Sequence, residues 1–461
     1  MIAPSRFCLF WVASLIVGTL GCKEKIGPLR SLPAEKIEPT TSAGSADKVE
    51  PVASAPPESE KVEPWAPPKA MKMPPANETR VLAKGANAFA VDLWGHVGRT
   101  PGNLAISPAS VGAALAMVAG GAKGETDSQI RTVLHMNGDA RTEGARWGYL
   151  LRALESPSRP ITLRIANRLF GEKTLAFDKS YIEWTDTSFG ASLLGLNFKG
   201  SAESSHTHIN TWVDERTQHR IKDLLPPGSV NEQTRLVVVN AIYFLATWAN
   251  PFEKESTYPQ AFFVTRSQKK KVPMMHDTGY PRVAEVGKVK LLELPYEGES
   301  ASMLFVLPKA VDGLADVESS LTASKIDDYA RAVSSMYAEV SLPRFEIHTK
   351  ALSLGENLKA LGMPLAFDPI RAEFTGIAAN GPTPEQRLFI SNVFHKAFVK
   401  VDEKGTEAAA ATTVGEEIGL DGEPPEPFKF TADHPFLFFL RDNVSGLILF
   451  MGRVTNPSIG D

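Results

Sequence analysis

The sequence predicts an α+β domain, and three observations predict it. Apolar and amphipathic helical stretches mix with β-branched runs in no regular strand–helix–strand order, the chain closes on a two-strand hairpin, and no segment repeats. Its 461 residues, 43% hydrophobic and 22% charged, suit one large or two medium domains with a substantial core. A formal net charge of -4 gives no electrostatic case for nucleic acid, whose binders carry basic patches. The one obvious basic run, Lys269, Lys270 and Lys271, reads as a solvated turn.

Residues 1–22 read as an export signal. Arg6 supplies the positive start, and residues 7–20 are apolar but too short for a comfortable membrane-spanning helix. The stretch ends in Thr19-Leu20-Gly21-Cys22, which resembles the lipobox of bacterial lipoproteins, in which the Cys is lipidated. Thr19 stands where that pattern has Leu, so an ordinary cleaved signal and an uncleaved anchor stay open. The expected location is exported: membrane-anchored through Cys22 on a periplasmic or outer surface, or secreted. Residues 23–77 are a Pro-rich linker whose composition cannot bury enough apolar surface to offset ordering. Its prolines favour extended chain, with a reach of about 3 Å per residue.

The folded domain is expected over residues 78–461. Val81, Ala83 and residues 85–94 look helical. Ser107-Pro108 starts a helix, with Ser as cap and Pro in the first turn, and residues 109–120 are apolar on every side and so belong under other layers. Residues 204–225 place Ile209, Trp212, Val213, Ile221 and Leu224 on one face and stop at Pro226-Pro227, which predicts an amphipathic surface helix. Residues 236–244 form a β-branched run suited to a central strand. Further strands are expected over 290–294, 301–307, 338–342, 388–401 and 435–441. A turn at Asp442-Asn443-Val444-Ser445-Gly446 then leads to a partner strand over 447–454.

Catalytic signatures are missing. There is no Gly-x-Ser-x-Gly elbow, no His-Glu-x-x-His and no phosphate-cradling glycine loop, so the chain reads as not an enzyme. His206 and His208 are two apart on a helix, point to different faces, and read as surface histidines. The two cysteines are Cys8 and Cys22, so the folded part has no thiol for disulfides, Cys chemistry or metal. No cofactor and no metal site is implied.

One segment stands out. After the 388–401 strand come Glu403-Lys404-Gly405-Thr406-Glu407 and then Ala408, Ala409, Ala410 and Ala411. On composition it is a flexible alanine-rich loop or a short helix. Read with period two, Thr406, Ala408, Ala410, Thr412 and Val414 share a face, all small enough to slide beneath a packed sheet. Large side chains there would have to open the core, at a cost of several kcal/mol.

This segment resembles the reactive-loop hinge of inhibitory serpins, and the likeness runs in order from about residue 78 to 458. Asn103-Leu104-Ala105-Ile106-Ser107-Pro108-Ala109-Ser110 resembles the family's shutter segment. Val239-Asn240-Ala241-Ile242-Tyr243-Phe244 with Trp248 resembles its central strand and breach. Leu294-Pro295-Tyr296, Leu342-Pro343-Arg344-Phe345, His434-Pro435-Phe436 and Phe450-Met451-Gly452-Arg453-Val454-Thr455-Asn456-Pro457 also fit. Leu245-Ala246-Thr247 departs from the basic stretch usual before the Trp.

The resemblance implies a serpin fold: several helices around three β-sheets, with an exposed reactive-centre loop. It implies a suicide-substrate inhibitor of serine-type or, as a second class, cysteine-type endopeptidases, with the protease held as a covalent acyl complex when the cleaved loop enters the central sheet. Gly405 is then the pivot, with Thr406 and Ala408 to Ala411 the entering strand. Ser107, Ser110, Asn240 and His395 form a shutter cluster, and Trp248 and Glu403 mark the breach. Family spacing puts the reactive bond near Gly419, Leu420 or Asp421. No Lys or Arg occurs between Lys404 and Lys429, so the target prefers apolar or small residues to basic ones. The expected partners are this protease and, through Cys22, a membrane, but no nucleic acid; a monomer is expected. The alternative is a non-inhibitory serpin serving as an extracellular binding or chaperone-like module. An exported hydrolase on an unrelated scaffold is a third reading.

Overall fold

The structure is a computed structural model that describes residues 71–381, 383–406 and 426–458. Residues 1–22 with Cys22, the linker up to residue 70, and Glu407, Ala408, Ala409, Ala410, Ala411, Gly419, Leu420 and Asp421 lie outside the described residues.

From the N-terminal side the elements are α1 (Ala76–Val97), β1 (Leu104–Ile106), α2 (Pro108–Ala119), α3 (Gly124–Val133), α4 (Ala140–Leu154), β2 (Thr162–Glu172), α5 (Lys179–Phe189), β3 (Leu194–Leu196), α6 (Phe198–Arg216) and β4 (Leu236–Thr247). A strand-rich stretch follows: β5 (Thr257–Phe263), β6 (Lys269–Gly279), β7 (Arg282–Val286), β8 (Val289–Pro295) and β9 (Ala301–Pro308). Then come α7 (Leu314–Ser319), α8 (Ala323–Ala332), β10 (Ser334–Ser335), β11 (Ala338–Pro343), β12 (Phe345–His348), β13 (Leu352–Ser353) and α9 (Gly355–Leu361). The last are β14 (Ile390–Val401), β15 (Gly405–Thr406), β16 (Phe428–Thr431), β17 (Phe436–Asp442) and β18 (Ile448–Val454).

These strands make three sheets, as an α+β serpin fold requires. One runs β1-β18-β17-β9-β8-β7-β10, a second β16-β11-β6-β5, and the third, central sheet β12-β14-β4-β2-β3, with β13 on β14 and β15 on β4. α2 packs against both β18 and β4, so it lies between two sheets. That position explains its all-round apolar sequence: each of its residues is buried. Its first turn is closed by Ser107, whose hydroxyl oxygen accepts from the Ser110 N–H at 3.3 Å, with Pro108 in the first helical position. The hairpin of β17 and β18 forms where expected. Asp442 accepts from the Ser445 N–H at 2.8 Å and from Arg159 at 2.8 Å, and Gly446 takes the left-handed φ of 77° that the turn needs.

Three local expectations need correction. The 204–225 helix runs instead over Phe198–Arg216. Thr217 ends it, because its hydroxyl accepts from the Ile221 N–H at 3.1 Å, and Gln218 and His219 then adopt positive φ of 49° and 63°. Ile221, Leu224 and Leu225 are still buried with Trp212 and Val213, so the apolar positions were legible while the helical period was not. His206 and His208 are half-buried, since α6 lies on β2: the ring Nε2 of His206 is 2.8 Å from the Leu225 carbonyl, and His208 meets Phe170 edge-on at 6.3 Å. Lys269, Lys270 and Lys271 are exposed as expected, but they begin β6 and pair with Phe263, Phe262 and Ala261.

Candidate functional site

The central sheet contains a seam with an uncommon construction. β14 lies parallel to β4, with His395 beside Asn240 and Phe398 beside Tyr243. Past Val401 the chain reverses in a tight turn. The Asp402 N–H donates to the Gly405 carbonyl at 3.0 Å, and the Lys404 N–H donates to the Asp402 carboxylate at 3.0 Å. β15 then runs back antiparallel to β4, with Gly405 opposite Thr247 and Thr406 opposite Ala246. Two residues of a third strand thus already occupy one end of the boundary between β4 and β14.

Gly405 is required there on two counts. Its φ of 152° is outside the range that other residues favour, and a Cβ would sit 2.0 Å from the Ala246 carbonyl oxygen. Thr406 is 1% exposed, and its hydroxyl is 2.7 Å from that of Tyr296. Burial pushes the Tyr296 phenol above its usual pKa, so it stays a neutral hydrogen-bonding group. Tyr296 stacks on Trp248 with ring centres 4.4 Å apart and planes 13° from parallel, and Phe244 meets it edge-on at 5.0 Å.

Trp248 also holds the turn. Its indole N–H donates to the Asp402 carbonyl at 3.0 Å and its backbone N–H to the Lys404 carbonyl at 2.8 Å. The Phe252 N–H donates to the Glu403 carbonyl at 2.8 Å, and the buried Glu403 carboxylate lies 3.6 Å from the Arg344 guanidinium. Leu245, Ala246 and Thr247 bring no charge to this end of the seam, where Arg344 and Glu403 form an ion pair.

Farther along the seam a second cluster crosses under it. Asn240 donates to the Ser110 hydroxyl at 2.5 Å and to the Asn167 side-chain carbonyl. Ser110 in turn donates to Asn167 at 3.0 Å, and Asn167 donates to the Ser110 backbone carbonyl at 3.0 Å. His395 bonds through Nδ1 to the Asn240 side-chain oxygen, while its Nε2 accepts from the Ser107 N–H at 3.1 Å. The Ser107 hydroxyl donates to the Leu449 carbonyl at 2.6 Å. This arrangement requires the neutral imidazole with its proton on Nδ1, and burial pushes the His395 pKa down to about 3. The cluster ties β14, β4, β2 and the start of α2 together by buried polar contacts, which are costly to leave unmade.

The sequence reading of the site therefore resolves into two groups. Trp248, Glu403, Gly405 and Thr406 meet at one end of the seam, and Ser107, Ser110, Asn240 and His395 meet under its middle. Two participants were missed in these roles. Tyr296 was noted only as part of a matching segment. Asn167 was not noted at all; it lies in β2 between Ala166 and Arg168, and Asn is depleted in strands, which was the available signal.

Residues 84–457 match the family model described as serpin, serine protease inhibitor. The chain belongs to the serpin family. It is 36% identical to human leukocyte elastase inhibitor, over 82% of this chain and 99% of that one. It is also 36% identical to mouse antithrombin-III, over 84% of each chain. Among solved structures it resembles Serpin48, described as a highly specific serpin of the insect Tenebrio molitor, with 31% identity and a TM-score of 0.72, covering 81% of this chain and 98% of that one. These findings correct one expectation. For want of a nucleophile motif the chain reads as a non-enzyme. The family model that it matches is described instead as a serine protease inhibitor, and a relative is named leukocyte elastase inhibitor.

Proposed function

We propose that this serpin is a suicide-substrate inhibitor of serine-type endopeptidases that prefer apolar or small residues, and that the seam between β4 and β14 is where its cleaved loop inserts. The observation that carries this reading is β15. Gly405 and Thr406 are placed as the first two residues of an antiparallel strand on β4. Continued in the same register, Ala408 falls opposite Phe244 and Thr412 opposite Asn240 and His395. Ala408, Ala410 and Thr412 then share the inward face that Thr406 takes, where small side chains enter without reopening the core. β4 begins at Leu236, opposite Glu416 in that register and a few residues short of Gly419, Leu420 and Asp421, where the reactive bond is assigned.

The chemistry follows from the trap. The protease serine attacks the reactive bond and forms an acyl-enzyme, releasing the new amino terminus. Insertion of the loop then carries the acylated protease along the seam. Strain on its active site disturbs the oxyanion hole, and deacylation stalls because that hole supplies much of the transition-state stabilisation. A kinetic barrier preserves the uncleaved form, and the buried contacts of Asn240 and His395 across the seam are part of it.

The tether belongs to the same proposal. Residues 1–22 act as an export signal ending in lipidated Cys22, and residues 23–77 hold the 78–461 domain, acting as a monomer, away from a membrane of bacterial type. The support is the apolar stretch before Gly21-Cys22 and the proline-rich composition after it. Cys22→Ser should move the protein from the membrane fraction to the soluble one; unchanged fractionation would remove the lipid from the account. For the inhibitory reading, incubation with elastase-, chymotrypsin-, subtilisin- and trypsin-like proteases should give a complex stable in denaturing gels with at least one of the first three. Clean turnover by every protease would favour the binding-module alternative.

A further inference from the structure

A cavity of about 1090 Å³ opens on the side of the molecule where the described chain begins, bounded by residues 72–75, α1, α4 and α5. Its walls are apolar: Met73, Leu82, Ala145, Leu150, Trp184 and the ring of Tyr149. The segment that closes it is anchored at two points. The Tyr149 hydroxyl donates to the Lys72 carbonyl at 3.2 Å, and the Met71 N–H donates to the Ser156 hydroxyl at 3.2 Å. The size and apolar lining are those of a small-molecule site.

Charge at this cavity is one-sided. Lys72, Arg141 and Arg146 stand at its edge, against the single carboxylate of Glu78. Arg146 is paired outward with Glu143 at 2.7 Å. Arg141 is held differently. Its Nε donates to the Gly120 carbonyl at 3.0 Å, and its guanidinium carbon lies 5.8 Å from the centre of the Trp184 ring. That leaves a fixed cation beside the Trp184 wall, in no salt bridge among the described residues, although the carboxylates of Asp139 and Asp178 lie near enough to feel its charge. An anion on an apolar body satisfies both features, because its head would meet the fixed guanidinium while its tail displaced water from the walls.

We propose that this cavity binds an amphipathic monoanion, a single carboxylate or sulfonate on an apolar chain, seated with its head at Arg141 and its tail against Trp184, Leu82 and Leu150. The site is separate from the seam, and the proposal stands or falls without the inhibitory reading.

The test uses the full chain and dodecanoate, with dodecyltrimethylammonium as a probe of equal tail and opposite charge. Calorimetric titration and thermal melting should show dodecanoate binding and raising the melting temperature, with at least tenfold weaker binding of the cation. Ala145→Trp, which fills the cavity, should weaken dodecanoate at least tenfold while circular dichroism stays unchanged. Arg141→Gln should narrow the preference between the two probes and leave tail burial in place, and it decides the matter if Ala145→Trp does not fold. Equal binding of both probes, or undiminished binding by Ala145→Trp, would overturn the proposal. So would dodecanoate binding that appears only in Trp65→Ala, because the occupant would then be the chain's own proline-rich segment.

Discussion

Thr406→Arg tests the seam at the residue where insertion begins. In the structure the Thr406 side chain is 1% exposed and hydrogen-bonded to Tyr296, whose ring is covered by Trp248 and Phe244. A guanidinium there would replace a hydroxyl whose partner is the neutral Tyr296 phenol rather than a carboxylate. Before cleavage it can swing out to water, freeing β15 at modest cost. After cleavage, insertion must bury it or leave the strand's first inward position unfilled. An unpaired buried charge costs several kcal/mol, and the lost partner of the Tyr296 hydroxyl adds about 1–3 kcal/mol. A barrier raised by about 4 kcal/mol slows insertion nearly a thousandfold, so deacylation should overtake it. The assay is the number of inhibitor molecules consumed per protease inactivated, read with a denaturing gel. The expectation is a change from near one-to-one trapping to wholesale cleavage. Thr406→Val, which keeps the size and removes only the hydroxyl, should retain most of the trapping. One-to-one trapping by Thr406→Arg would refute the assignment of Thr406 to the inward face.

Other outcomes follow from the same contacts. Asn240→Ala leaves the His395 Nδ1–H unpartnered in the core and removes the amide donor shared by the Ser110 hydroxyl and the Asn167 side-chain carbonyl, so the uncleaved form should lose about 2–4 kcal/mol in chemical denaturation. Gly405→Ala forces a Cβ to within 2.0 Å of the Ala246 carbonyl and should expel β15 from the seam, read as faster hydrogen exchange at the Thr406 amide. The pH dependence combines two opposed groups. His395, about 3 in the fold through burial against about 6.5 unfolded, makes stability fall as pH drops from 6.5 towards 3, by about 1.4 kcal/mol per unit. Glu155 is raised to about 7, first by burial, against 4.5 as a free carboxyl, so its effect runs the other way and stability falls as pH rises from 4.5 to 7. The native protein should therefore be nearly flat between about 4.5 and 6.5. His395→Gln should lose stability with rising pH in that window, and Glu155→Gln should gain it, both by denaturant titration.

Much of the fold was legible because its elements carry strong local signals. The all-apolar α2 could only be an interior helix, the β-branched run of β4 a central strand, and Asp442 to Gly446 a hairpin turn. The failures were of a different kind. Ile221, Leu224 and Leu225 have the burial of a helix face without its geometry, because the Thr217 hydroxyl and two positive-φ residues end the helix before them. The site was legible where resemblance supplied positions, as for Gly405 and Asn240. The hydroxyl pair of Thr406 and Tyr296 and the hub at Asn167 depend on contacts between residues far apart in sequence, 110 and 73 positions respectively. No local pattern encodes such distances.

Limited cleavage by an elastase- or chymotrypsin-like protease, followed by melting and mass analysis of the same sample, tests the central claim most directly. The account predicts a covalent protease complex, a cut near Gly419, Leu420 or Asp421, and a cleaved chain that melts roughly 10 °C or more above the intact one. That shift corresponds to insertion stabilising the domain by on the order of 10 kcal/mol. A chain cut at that place with an unchanged melting temperature, and with no complex at any protease ratio, would contradict it.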